Sequence, residues 1–205
     1  MLVPKSEFSG SFLGPLSKQR AATAYVSHRA SAANIPLTHN KLRLYRNKLN
    51  MAGPTTIPDI PSLQEYVGSP LGPSDWFTIT QEQIQDFARA TGDHQWIHTD
   101  IERAEKESPF GGPIAHGYLT MSLAPALLPQ LLQVSNASRT INYGIDKMRL
   151  PVPVPAGGRV RLSASIKHVR NVPGGGARVT ISLTFHLEGS KRACCTADAI
   201  YVYFP

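Results

Sequence analysis

The residues best suited to chemistry lie in two short segments near the middle of the chain. Asp93 and His98 are five positions apart in the first segment, 91–100. A carboxylate and an imidazole held in one loop can converge on one water molecule, so that one group accepts a proton while the other donates one. The second segment, 110–117, brings three glycines to the start of an apolar run. Free N–H groups at a helix start can stabilise a developing oxyanion.

The sequence around these segments predicts the helices that position them. Thr80 and Gln83 have the spacing of a capping box, and Gly92 is suited to end the helix that begins there. The run 114–132 is apolar almost all round. Because polar residues and two prolines interrupt so short a run, we expect a helix buried inside the domain and not a membrane span.

Two later runs alternate strictly between apolar and polar residues. Residues 160–167 and 179–187 show this period of two, which is typical of β-strands with one buried face. A Pro-Gly-rich turn at 173–176 joins them, and 139–149 and 193–204 are predicted as further strands. The expected fold class is α+β, with an antiparallel sheet of about five strands whose apolar face wraps the helix.

The two cysteines are adjacent, at positions 194 and 195, which excludes a framework disulfide between them. Neighbouring residues of a strand point to opposite faces of the sheet. We therefore expect at most one of Cys194 and Cys195 to be buried, and neither to be activated.

The spacing Gly92-Asp93-x-x-x-x-His98, with Ala104 downstream, resembles the signature of the MaoC-like, type 2 enoyl-CoA hydratases. The later Gly112-Pro-Ile-x-His-Gly117 is similar to the way that family enters its central helix. The sequence Gly-Asp-His-Gln-Trp-Ile-His resembles that of the single-hot-dog, NodN-like branch of this family. The resemblance covers about residues 74–204.

This resemblance implies a hot-dog fold, in which an antiparallel sheet wraps a long central helix. It also implies a hydro-lyase of fatty-acid metabolism that reversibly hydrates trans-2-enoyl thioesters of CoA or acyl carrier protein to (R)-3-hydroxyacyl thioesters. Asp93 and His98 would be the catalytic pair, and the backbone N–H of Gly117 would be the oxyanion donor. No cofactor is expected, because the thioester carbonyl accepts the electrons. The substrate pocket is expected to include Gln95, Trp96, His116 and Ser122.

Other functions stay open on the residues alone. A hot-dog thioesterase would hydrolyse the thioester, and a non-catalytic acyl-carrier binding module would keep the fold without the reaction. His94 and His98 are four positions apart, as zinc ligands can be, but no cysteine or third ligand at a suitable spacing accompanies them. A metal site is therefore not expected.

Charge is distributed unevenly along the 205 residues. Residues 1–50 hold eight basic side chains and one acidic side chain, whereas the 13 basic and 13 acidic side chains of 51–205 cancel. Phosphate binding needs a basic face on the folded part, so a nucleic-acid partner is not expected. The chain is predicted to divide into the basic arm, an extended Pro-rich lead-in at 51–73, and the hot-dog domain at 74–205.

The basic arm at 1–50 has three interpretations. Its Ser- and Arg-rich, acid-poor composition is that of a transit peptide, which predicts a mitochondrial location. A second interpretation is a disordered basic tail. A third interpretation is translated sequence upstream of a true start at Met51, which predicts a cytoplasmic location.

The predicted sheet has open edges, which invite pairing with another chain. Hot-dog proteins of the kind that this chain resembles usually form dimers, so we expect a two-fold homodimer with the active site near its interface. The sequence leaves open whether the 93–98 loop and the His116-Gly117 helix entry of one site come from the same subunit.

Overall fold

The main element of the molecule is an antiparallel sheet. The computed structural model describes residues 53–205, so the basic arm at 1–50 lies outside the described residues. The strands are β1 Thr55–Ile57, β2 Pro70–Leu71, β3 Phe77–Thr78, β4 Leu132–Val134, β5 Arg139–Arg149, β6 Arg159–Val172, β7 Gly176–Leu187 and β8 Ala193–Phe204. The sheet has the order β2-β6-β7-β8-β5, with β3 also paired to β6. β1 and β4 form a separate parallel pair.

The helices are short and lie mainly between β3 and β4. They are α1 Gln81–Thr91, α2 Trp96–Thr99, α3 Ile101–Glu107, α4 Gly117–Ser122 and α5 Ala124–Leu127, with 3-10 helices at Pro61–Tyr66 and Leu128–Gln130. Within residues 53–205 no helix combines the length and the apolar character needed to cross a membrane.

The core lies on the inner face of the long strands. Ile166 of β6 and Ile181 and Phe185 of β7 are fully buried, and the residues between them along each strand face outward. Burying a side chain of this size contributes about 1.5–3 kcal/mol. The alternation seen in the sequence therefore does set the buried face of the sheet, and the predicted α+β class is confirmed.

The predicted buried helix at 114–132 is wrong in two respects. It begins only at Gly117 and is interrupted at Leu123, after which α5 and a 3-10 turn continue to Gln130. Pro125 lies in the first turn of α5, where a proline is tolerated. In one continuous helix its ring would clash with the carbonyl of Met121, so the helix is interrupted before it. Only one face is buried, because Tyr118 on the opposite side is 70% exposed.

The Pro-rich lead-in contributes side chains to the core. The sequence analysis predicted only an extended segment there. β1, the first 3-10 helix and β2 all form within it. Ile57, Ile60 and Leu63 are at most 2% exposed. The side chain of Asn136, just after β4, accepts a hydrogen bond from the backbone N–H of Ile60 at 2.9 Å. The segment therefore packs as part of the same unit as the sheet.

Both cysteines are buried, so the expectation that only one would be is wrong. The register between β7 and β8 shifts between Phe185 and His186, opposite Cys194. A β-bulge inserts an extra residue and turns it out of the usual alternation. Burial raises the pKa of the Cys194 thiol to about 11 and that of Cys195 to about 12. Neither thiol is therefore activated as a nucleophile.

Candidate active site

Helix α1 determines where the loop that carries Asp93 begins. The hydroxyl of Thr80 accepts a hydrogen bond from the backbone N–H of Gln83, whose side chain accepts one from the N–H of Thr80. This is the predicted capping box. The helix ends at Gly92, whose φ of 78° lies in the left-handed region that glycine adopts without steric cost. Asp93 follows this turn directly, with its side chain 54% exposed.

His98 lies on the four-residue helix α2, which two amide side chains hold against α1. Gln81 donates a hydrogen bond to the carbonyl of His98 at 2.9 Å, and Gln85 donates one to the carbonyl of Thr99 at 2.8 Å. Carbonyls in the last turn of a helix have no partner within it. The two glutamines supply that partner and fix the position of α2.

The imidazole of His98 is buried, and a neighbouring carbonyl assigns its tautomer. Nδ1 lies 2.6 Å from the carbonyl oxygen of Ile114. That oxygen can only accept, so Nδ1 carries the hydrogen and Nε2 keeps its lone pair. Burial lowers the pKa of His98, and the hydrogen bond to Ile114 partly offsets this effect. A neutral ring with a free Nε2 is suited to accept a proton.

His116 lies beneath the loop, and the structure does not place it on an open pocket wall. Its side chain is 2% exposed. Nε2 is 2.9 Å from the carbonyl oxygen of Asp93 and 3.8 Å from its carboxylate. The rings of His98 and His116 are stacked, with centroids 3.9 Å apart and planes tilted by 30°. The 93–98 loop and the helix entry therefore meet within one chain.

The spacing of the polar groups suits one bound water molecule. A carboxylate oxygen of Asp93 and ring nitrogens of His98 and His116 all lie within 4.8 Å of one another. A water molecule that makes two hydrogen bonds of about 2.8 Å at a tetrahedral angle spans about 4.6 Å. One water can therefore bridge Asp93 and His98, as a hydration reaction requires.

The same three side chains could in principle hold a metal ion. A metal lies close to the plane of each imidazole that binds it. The rings of His98 and His116 are stacked, with centroids 3.9 Å apart and planes tilted by 30°. The in-plane lone pairs of two stacked rings converge poorly on one ion, which favours hydrogen bonding to water over coordination of a metal.

Gly117 is the first residue of α4, so its N–H has no acceptor within the helix. This suits the predicted oxyanion donor. Leu150, which the sequence prediction missed, packs against it. A Cβ added to Gly117 would lie 2.2 Å from Cδ1 of Leu150. The helix entry therefore approaches Leu150 so closely that only glycine fits without a shift.

The segment that contains Leu150 runs beside the helix entry. Ala115 donates a backbone hydrogen bond to Val154 at 2.8 Å, and Ala156 donates one to Pro113 at 2.9 Å. The run 150–155 alternates apolar residues with prolines, which lack an N–H and favour extended backbone. That alternation was the available sequence signal for a segment lining this part of the site.

Three other residues predicted at the pocket make mainly local contacts. The backbone N–H of Gln95 lies 3.4 Å from the carboxylate of Asp93, so Gln95 does touch the pair. Trp96 is half-buried beneath the guanidinium of Arg103, 4.4 Å from its ring centre. The hydroxyl of Ser122 donates to the carbonyl of Tyr118 within its own helix.

Comparison with known proteins identifies a family and several relatives of this chain. Residues 62–184 match the family model described as "MaoC like domain". The chain is 45% identical over 148 residues to 3-hydroxyacyl-thioester dehydratase Z of Mycobacterium tuberculosis, covering 72% of this chain and 97% of that protein. It is 38% identical over 148 residues to nodulation protein N of Rhizobium leguminosarum bv. viciae, covering 72% and 90%.

Solved structures resemble the described fold. A monoamine oxidase regulatory protein from Archaeoglobus fulgidus has a TM-score of 0.61 at 23% identity, covering 75% of this chain and 99% of that one. The unliganded R-hydratase PhaJ1 from Pseudomonas aeruginosa has a TM-score of 0.54 at 22% identity, covering 72% and 88%. At such identities the likeness concerns the fold, which is the hot-dog fold expected from the sequence. Together with the family match, these relatives show that the chain belongs to the MaoC-like dehydratase family.

Proposed function

We propose that this protein is a hydro-lyase that adds water to trans-2-enoyl thioesters and gives (R)-3-hydroxyacyl thioesters in a reversible reaction. The observation that carries the proposal is the Asp93–His98 pair, in which one carboxylate oxygen and one ring nitrogen lie within 4.8 Å of each other. The carbonyl of Ile114 occupies one ring nitrogen of His98, which leaves the other available for proton transfer. The relative named as a 3-hydroxyacyl-thioester dehydratase supports the same class of reaction.

In the hydration direction, the pair holds one water molecule by two hydrogen bonds. As the water oxygen forms its bond to C3, one water proton passes to the pair and the electrons of the C2–C3 double bond move towards the thioester oxygen. The N–H of Gly117 stabilises the resulting enolate. The protonated member of the pair then delivers a proton to C2. Water is thus added in full, and dehydration is the reverse path.

The acyl group would be carried by CoA or by acyl carrier protein, because both present it as a thioester. Crotonyl-CoA is a suitable first substrate for the full chain. Loss of the enoyl thioester absorbance measures hydration, and release of a free thiol measures hydrolysis. We expect hydration without thiol release. Thiol release at the same rate would favour a thioesterase, and binding without either reaction would favour a carrier-binding module.

Substitution of the pair tests its role directly. Asp93→Asn and His98→Ala should each lower kcat by about 10²–10⁴-fold, the usual contribution of a positioned acid or base. The double variant should be little worse than either single variant, because both residues act on one water. Near-wild-type turnover in either single variant, with circular dichroism unchanged, would contradict the assignment.

His94→Ala is the matched control. His94 lies in the same loop, is exposed, and is held through its backbone carbonyl, which accepts a hydrogen bond from Thr99. Its removal should leave kcat within about twofold, since a surface substitution away from special features has little effect.

A further inference from the structure

One nitrogen of the His116 imidazole has no hydrogen-bond partner among residues 53–205. Nε2 bonds to the carbonyl of Asp93, so it carries the hydrogen and Nδ1 keeps a lone pair. Nδ1 is buried, and nothing within residues 53–205 donates a hydrogen bond to it. A buried polar atom without a partner lowers stability and calls for an explanation.

Packing alone does not explain a histidine here. The ring of His116 lies between Phe87, with centroids 5.0 Å apart, and His98, with centroids 3.9 Å apart. A phenylalanine ring in this position would keep both ring contacts and would bury no unpartnered nitrogen. What phenylalanine would lose is the hydrogen bond from Nε2 to the carbonyl of Asp93.

We propose that His116 is a positioning residue that holds both members of the catalytic pair, an inference that rests on the proposed function. Its Nε2–H fixes the backbone of Asp93, and its ring face fixes the plane of His98. His116 is also the residue immediately before Gly117. One side chain thereby links the acid–base pair to the start of the helix that supplies the oxyanion donor.

The two contacts act on different members of the pair and can be separated by substitution. His116→Phe keeps a ring against His98 and removes the hydrogen bond to Asp93. His116→Gln places an amide N–H near the position of Nε2 and removes the ring. His116→Leu removes both. His186→Phe is the matched control, because His186 is a half-buried histidine on β7, outside the catalytic loop and the helix entry.

Kinetics with crotonyl-CoA give the first measurement. We expect His116→Phe and His116→Gln each to lower kcat by about 10-fold, and His116→Leu by about 100-fold, because small displacements of reacting groups have effects of this size. KM should change by less than about twofold. The melting temperature of His116→Phe should stay close to that of the wild type, because removal of the unpartnered nitrogen offsets the lost hydrogen bond to Asp93. A residue that only packs would lose activity in step with stability.

Nuclear magnetic resonance of ¹⁵N-histidine gives a measurement that does not depend on turnover. In the part of the chain that the structure describes, Asp93 and His116 are the titratable and charged groups that face His98. Helix α1 presents neutral glutamines to the helix that carries His98. In the wild type, His98 should be the Nδ1–H tautomer. In His116→Gln and His116→Leu the ring is freed and better hydrated, so it should show mixed tautomers and titrate at a higher pH. His116→Phe should keep the wild-type tautomer.

The outcomes separate this inference from the proposed function. An unchanged His98 tautomer and titration in His116→Gln and His116→Leu would overturn the positioning role, whether or not the wild type hydrates crotonyl-CoA. Wild-type kcat in His116→Phe would overturn the contact with Asp93. Absence of hydration by the wild type, with the expected spectra, would instead contradict the hydratase assignment while upholding the positioning of His98.

Discussion

Opposing effects act on the pKa of His98, the residue proposed to transfer a proton. Burial disfavours the charged form and lowers its pKa, and the nearby His116 acts in the same direction. The hydrogen bond to the Ile114 carbonyl and the charge of Asp93 act in the opposite direction. The resulting pKa lies below the ordinary 6.5, so the neutral ring persists into mildly acidic solution. A general base must be unprotonated to act, which links this balance to activity.

The pH dependence of hydration should report this lowered pKa. Plotted against pH, kcat/KM reflects the free enzyme. It should fall as the pH drops through the lowered pKa of His98, so the midpoint of this fall should lie below pH 6.5. Asp93→Asn removes a group that raises this pKa, so the nuclear magnetic resonance titration of His98 in that variant should move to still lower pH. If the midpoint of the acidic fall in wild-type kcat/KM lay at or above pH 6.5, the assignment of His98 as the base would be contradicted.

At the scale of elements, the start of α4 packs closely against the segment that follows β5. The contact is made by Gly117 and Leu150. Gly117→Ala would place a Cβ 2.2 Å from Cδ1 of Leu150, so that side chain must move. Leu150 is partly exposed and has room to shift, so the cost should fall on the site more than on stability. We expect kcat to fall about 10-fold, with a small change in melting temperature.

Two further variants make the Gly117 prediction specific. Gly117→Ala combined with Leu150→Ala should regain most of the lost kcat, because the collision is removed. Gly112→Ala is the control, since a Cβ there would meet no atom within 4 Å. Equal losses in Gly112→Ala and Gly117→Ala, or no recovery in the double variant, would show that close approach to Leu150 is not the cause.

Local patterns predicted those elements whose limits are set by neighbouring residues. The capping box at Thr80 and the left-handed end of α1 at Gly92 both lie where the spacing placed them. Each depends on residues within one turn, so sequence is sufficient. The break at Leu123 follows from Pro125, a local signal against one continuous helix over 114–132. The bulge that buries Cys194 depends instead on the pairing of β8 with β7. No local rule contains that information.

The candidate site likewise contains residues that local sequence predicted and residues that distant segments supply. Asp93 and His98 share one loop, and their spacing predicted that they could converge on one water. The carbonyl of Ile114, which assigns the tautomer of His98, comes from 16 positions away. Leu150 comes from the segment that follows β5. His116 was predicted from its motif, but whether it faced the pocket or lay beneath the loop depended on how the helix entry docks.

At the scale of the whole molecule, β5 is an unprotected edge. Among the described strands it pairs only with β8, and it carries large exposed side chains at Ile141, Tyr143 and Ile145. Tyr118 of α4 and Leu150, after β5, are also exposed. A long edge strand with apolar side chains is prone to pair with another chain. A second copy, related by a two-fold axis, would cover this edge.

We therefore expect the full chain to form a homodimer through β5. Light scattering at micromolar concentration should give twice the mass of one chain. Ile145→Lys, which places a charge on a side chain that is 49% exposed on this edge, should shift the mass towards one chain. It should also lower kcat, because the helix entry that carries Gly117 packs against Leu150, just beyond the end of β5.

Ile101→Lys, at a 44% exposed side chain on α3, is the control and should stay dimeric and active. A fully active monomer of the wild type would refute this arrangement, and dissociation of both variants alike would show that β5 is not the contact.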